Sequence, residues 1–225
     1  MESFSLTELL PAAVGIALNP PAVVAMILML SSPHPKRNAI SFLLGWMAGL
    51  FLAGAIVLIA GDLISMLEAS SKAALIAKLL LGLLLLFFAF RQWRTHRTAT
   101  DEEEMPRWMR SMAEFSGPKA FTTAAIFSGL NPKTLALNIA GVMLIVEAPL
   151  SVSMEWVALG AFVVLSSVTV ALPVIYYLIA PERSKPALEA SKRWLIANNT
   201  AVIATVLLIL GIMLVAAGVK GLATL

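Results

Sequence analysis

Leu18-Asn19-Pro20-Pro21 and Leu130-Asn131-Pro132-Lys133 place the same Leu-Asn-Pro step in the middle of two apolar stretches, each long enough to cross a membrane. Proline inside a helix removes a hydrogen-bond donor and clashes with the preceding turn. In hydrocarbon the freed backbone groups have no water to turn to, so such a break is tolerated where protein buries it or where it lines a cavity. Two breaks in matching places of two halves are the sequence pointer to a transporter's binding site.

The composition around these breaks is that of an integral membrane protein. Of 225 residues, 60% are hydrophobic and 13% charged, with a mean hydropathy of +0.90. Soluble domains sit near half apolar and about a quarter charged. At roughly 20 residues per span, the length suits one bundle of about six spans with no separate soluble domain. The absence of cysteine excludes disulfides and thiolate metal sites. A net charge of +3 and a pI near 9.4 fit arginines in cytoplasmic loops and not a nucleic-acid surface. Met1 to Leu10 carries Glu2 and Glu8 without Lys or Arg, so it lacks the basic start of a secretory signal and the first span is expected to be retained.

Six apolar stretches follow: 6–31 (broken at Asn19-Pro20-Pro21), 39–61, 73–90, 119–147 (broken at Asn131-Pro132), 154–180 and 198–220. The connections are short except 91–118, which separates a first three-helix repeat (1–90) from a second (119–225). The third span of each half repeats a pattern, with Leu79-Leu80-Leu81-Gly82 nine residues before Arg91 and Leu208-Ile209-Leu210-Gly211 nine before Lys220. The positive-inside bias sets the orientation. With the N-terminus outside, cytoplasmic loops hold twelve of the sixteen basic residues, and both termini lie outside. Three spans per half then insert the second half upside down. The expected fold is all-α: a polytopic membrane protein of six transmembrane helices, built as two inverted three-helix repeats with broken first helices. It would be multi-pass in the cell's inner (plasma) membrane.

Interface anchors fit this frame, with Trp93, Trp108 and Trp194 near the inner boundary and Trp156 near the outer one. In the central loop, Met105, Trp108, Met109, Met112 and Phe115 share one helical face, behind Pro106 and the acidic run Asp101 to Glu104. That pattern suits a short helix on the cytoplasmic leaflet or, equally, a linker packed on the bundle.

At each break the asparagine can cap a half-helix that begins at the following proline. A new helix N-terminus is a natural anion site. Asn19, Pro20 and Pro21 make up the first break; Asn131, Pro132 and Lys133 make up the second. A lysine well inside a span costs about 2.5–3.5 kcal/mol even on gentle insertion scales. Lys133 therefore serves a pathway, or else snorkels to headgroups about a dozen residues back, roughly 18 Å at 1.5 Å per residue. Lys78 lies near enough to its own boundary to snorkel outward. Thr134 and Asn138, one turn apart beyond the break, extend a polar lining or bond within their own helix. The paired breaks could also be kinks that only shape the bundle. Gly45-x-x-x-Gly49 is a small-residue packing motif, structural within the bundle or shared between two copies in a homodimer.

No Asp or Glu lies deep in a span: Asp62, Glu68, Glu147 and Glu155 are all near the outer surface. The usual carboxylate ion carrier is missing. His34 and His96 are loop residues, too few for a metal cluster, and no phosphate loop, nucleophile elbow or paired-carboxylate site appears. Neither an enzyme nor a cofactor is expected.

One set of segments comprises Ala17-Leu18-Asn19-Pro20-Pro21, Leu30-Ser31-Ser32-Pro33, Arg37-Asn38-Ala39 and Phe42-Leu43-Leu44-Gly45-Trp46. It continues through Arg91-Gln92-Trp93-Arg94, Pro106-Arg107-Trp108-Met109 and Gly129-Leu130-Asn131-Pro132-Lys133. In these segments the chain resembles the actinobacterial glycolipid-addressing, or sulfolipid-addressing, protein family. The family looks like a branch of the lysine-exporter superfamily. The resemblance implies a part in moving glycolipids or their lipid-linked precursors to the cell envelope. The leading expectation is a transporter, or transport subunit, for an amphiphile with a polar, anionic head, working by alternating access. The alternatives are an exporter of a small soluble solute, such as an amino acid or ion, and a membrane adaptor that docks an envelope lipid exporter or synthase through 91–118.

Overall fold

The computed structural model describes residues 5–65, 79–80, 83, 86–87, 89–91, 93–94 and 115–223. The third apolar stretch lies mostly outside these residues, as do nearly all of 105–115 and Lys78. Among the described residues there is no strand. A 3-10 turn, Leu6–Leu9, is followed by α1 (Leu10–Ala17), α2 (Pro20–Leu30) and α3 (Pro35–Ser65). After the central segment come α4 (Gly117–Gly129), α5 (Pro132–Val146), α6 (Val152–Ile179) and α7 (Pro181–Ala223).

Two helices are long and apolar enough to cross a membrane alone, Pro35–Gly61 and Val152–Ile179. Two more spans arise if each bent pair is one crossing: Leu6–Ala17 with Pro20–Leu30, bent by 63°, and Gly117–Gly129 with Pro132–Val146, bent by 64°. This is an all-helical membrane protein with up to four spans among its described residues, and both Asn-Pro steps are true breaks. The sixth stretch, 198–220, falls inside α7, which begins seventeen residues earlier at Pro181. The basic residues 183–193, expected in a loop, sit on that helix. Pro186 does not stop it.

The chain groups into two compact units, Met1–Asp62 with Glu104–Ile196, and Leu63–Glu103 with Ala197–Leu225. In the first, α2 is buried almost all round, from Ala22 through Leu30 apart from Val23. A helix apolar on every side belongs at the centre of a bundle. It packs on α6, while Leu195 and Ile196 cover its Val24 and Leu28. In the second unit, Gly211 admits Leu86: a Cβ there would come 2.7 Å from the leucine side chain. The glycine in the repeated third-span pattern therefore marks a helix contact.

Gly45 and Gly49 are where α3 lies against α4. A Cβ on Gly45 would collide with the Phe121 carbonyl, and one on Gly49 with Ser128 Oγ and the Ala125 carbonyl. The small-residue motif is filled within the chain, so it gives no support to a homodimer. Backbone atoms cannot retreat as a side-chain tip can, and overpacking of this kind costs about 1–3 kcal/mol. Gly49→Ala is expected to lower the thermal unfolding temperature in detergent. Gly160→Ala, with nothing within 4 Å of the added carbon, should not lower it.

Candidate functional site

At the first break α1 ends on Leu18 (φ −75°, ψ 66°) and Asn19 takes a non-helical φ of −123°. Pro20 and Pro21 bring no N–H. The next two amides are both taken: Ala22 donates to Asn19 Oδ1 (3.4 Å) and to the Asn19 carbonyl (3.0 Å), and Val23 donates to that same carbonyl (3.2 Å). The second break repeats the device. Asn131 Oδ1 accepts from the amides of Lys133 (3.1 Å) and Thr134 (3.4 Å), and the Asn131 carbonyl accepts from Leu135 (2.8 Å). The sequence suggests exposed amides ready for an anion; the structure shows that Asn-Pro satisfies its own first turn. Asparagine supplies the cap acceptor, and proline removes a donor that would otherwise need one.

The groups that need outside help are the carbonyls ending α1. The Ala17 carbonyl accepts from the Asn19 amide (2.8 Å) and from Thr169 Oγ1 on α6 (2.5 Å). The Leu18 carbonyl accepts from Lys133 Nζ at 3.1 Å. A lysine of the second break thus caps the half-helix that ends at the first, where the helix dipole favours a cation. The two breaks meet through this bond. Lys133 neither snorkels nor forms an ion pair among the described residues. Its ammonium has three donors, and this contact uses one.

Helix directions follow from the contacts. Both Ala12 and Phe162 lie against Gly141, while Thr169 reaches Ala17 and Lys133 reaches Leu18. So α1 runs parallel to α6 and antiparallel to α5. Asn138 Nδ2 donates to the Leu50 carbonyl (2.9 Å), Gly54 faces Val142, and Gly61 faces Val146. So α5 runs parallel to α3.

Burial separates the two breaks. Asn19 is 6% exposed and Pro20 is buried, whereas Asn131 is half-buried, Pro132 is exposed and Leu130 is 69% exposed. Thr134 and Asn138 are buried, but Thr134 Oγ1 and Asn138 Oδ1 have no hydrogen-bond partner. Three other buried polar atoms share that condition: Trp46 Nε1, Ser166 Oγ and Asn38 Oδ1.

Sequence reasoning missed Thr169 and Asn38 as members of polar contacts. Asn38 Nδ2 donates to Ser32 Oγ (2.9 Å) and to the Phe115 carbonyl (2.6 Å), tying the end of α2 to the start of α3 and to the segment before α4. No periodicity marks such residues, because their partners lie as many as 152 positions away.

A family model described as Sap, sulfolipid-1-addressing protein, matches residues 9–220. The chain belongs to this family. The match spans both breaks, so the Lys133 to Leu18 bond joins two parts of one family domain. No curated protein and no solved structure matches the chain.

The caps set the expected cost of losing an asparagine. Asn131→Ala strands the amides of Lys133 and Thr134 and should destabilise the protein by about 1 kcal/mol. Asn131→Ser keeps an acceptor and should recover most of the loss. Thermal unfolding of the two variants in one detergent checks the order.

Proposed function

We propose that the chain carries an envelope lipid, with its anionic head held at Lys133 between the two broken spans. The observation that carries this is the bond between Lys133 and the Leu18 carbonyl, where a lysine amid apolar helices meets only backbone. A carbonyl is a weak partner for an ammonium; an anionic oxygen is a stronger one, since charge-assisted bonds contribute about 1.5–3 kcal/mol. A sulfate, phosphate or carboxylate head would take Lys133 from Leu18. Recognition falls to this side chain because Asn131 has already claimed the amides of Lys133 and Thr134. The family's description supplies the lipid class. The exposure of Leu130 and Pro132 beside Lys133 gives a lipid tail a way to remain in the bilayer while its head is bound.

Displacing Leu18 also supplies the coupling step. Residue 18 belongs to the first half of the chain and residue 133 to the second, so head binding removes a polar tie between them. We take the whole as six spans in two inverted repeats, in the plasma membrane with both termini outside. Two contacts support the inversion. The first half-helix of each half packs parallel to the long helix of the other, α1 on α6 and α4 on α3.

The first test compares cells with and without the gene. The lipid should accumulate in the inner membrane and be missing from the surface when the gene is absent. Lys133→Ala should reproduce that defect in a protein that still folds and inserts. Its binding of the anionic lipid should weaken by roughly ten- to a hundred-fold, the equivalent of about 1.5–3 kcal/mol. Unchanged surface lipid in Lys133→Ala cells would remove this lysine from the mechanism.

A further inference from the structure

In carriers built from broken helices, the carbonyls that finish a half-helix are a usual seat for the coupling ion. Here that seat is filled from within the chain. The Ala17 carbonyl accepts from the Asn19 amide and from Thr169 Oγ1, and the Leu18 carbonyl accepts from Lys133 Nζ at 3.1 Å. The cation at the end of α1 is a side chain, so it cannot leave with a cargo.

Charge is sparse along the rest of the apolar stretches. Asp and Glu are missing from 9–61, 69–100, 115–146, 156–181 and 190–225, which hold the interior of all six. Both histidines, His34 and His96, lie between stretches. Lys78 and Lys133 are the basic residues inside a stretch, and Lys78 is only the sixth residue of its own, 73–90. No carboxylate among the described residues pairs with Lys133.

These observations fix the charge of each state of the site, given the carriage reading above, on which this inference rests. With a monoanionic head on Lys133 the centre is neutral. With the head gone it carries one positive charge. The neutral centre turns outward and the positive one turns back, so one negative charge leaves with each lipid. We infer that the membrane potential, negative inside, drives the cargo outward with no accompanying ion, Lys133 standing where a coupling ion would. A single ammonium also sets the charge of the head. A phosphodiester or sulfate ester is neutralised by it, whereas a dianionic phosphomonoester keeps an unbalanced charge, which is costly inside a bilayer.

The test reconstitutes the purified full chain into phosphatidylcholine vesicles with a trace of phosphatidylglycerol, a phosphodiester of one negative charge. Its acyl chain carries a fluorophore that dithionite quenches in the outer leaflet. A potassium gradient with valinomycin sets the potential. The steady-state leaflet ratio does not depend on which way the protein is inserted. The label should shift towards the positive side, tenfold for about 59 mV. A pH or sodium gradient imposed at zero potential should not shift it, and Lys133→Gln should slow the movement about tenfold. Movement that ignores the potential, or that follows the pH or sodium gradient, overturns the inference and leaves carriage standing. If the label does not move with protein present, carriage itself fails, and the energy source with it. Equal movement of labelled phosphatidylcholine, or an unslowed Lys133→Gln, removes head selection by Lys133 and overturns the inference on that ground.

Discussion

A peptide group set free inside hydrocarbon has only protein to bond to. Every unusual feature of this chain is an answer to that condition. An Asn-Pro step stops a helix in the middle of an apolar stretch, twice. The prolines lower the number of donors needing partners, and the asparagine side chains take up those that remain. The new N-termini are therefore self-contained. The carbonyls ending α1 are not, and they recruit Thr169 from α6 and Lys133 from α5. Those two bonds hold the first break in the bundle.

The electrostatic consequence is that the centre belongs to a cation and not to a nest of amides. Lys133 would be costly alone in a membrane, but at the end of α1 it meets the negative pole of a helix. The same placement keeps it available, since a backbone carbonyl is readily exchanged for an anionic partner. On the proposed function, anchoring and recognition share one side chain. The buried Asn19 and the exposed Leu130 and Pro132 give the two breaks different surroundings. One is fixed in the bundle and the other stands at its surface, beside the lysine.

The tight seams of the fold are made by glycine and by small polar groups. Gly45 and Gly49 let α3 touch the backbone of α4. Apolar attraction between helices is weak where the solvent is itself apolar, so close packing and a few hydrogen bonds carry more of the cohesion. Asn138 on the Leu50 carbonyl and Asn38 on the Phe115 carbonyl are bonds of this kind.

Much of this was legible from residue order alone. Composition determined a helical membrane protein. The Leu-Asn-Pro steps determined both breaks, with their caps, because proline chemistry and asparagine capping act within four residues. The buried Thr134 and Asn138 were marked by their spacing from Pro132, and Lys133 by the cost of its charge. Only the tertiary structure decided what those groups meet. It made Lys133 a cap for Leu18, spent the Gly45 and Gly49 motif inside the chain, and drew Thr169 and Asn38 into the polar contacts. A cap is a local bond and can be read from neighbours in sequence. The partner of a carbonyl more than a hundred residues away depends on which helices lie side by side, and that is set by packing.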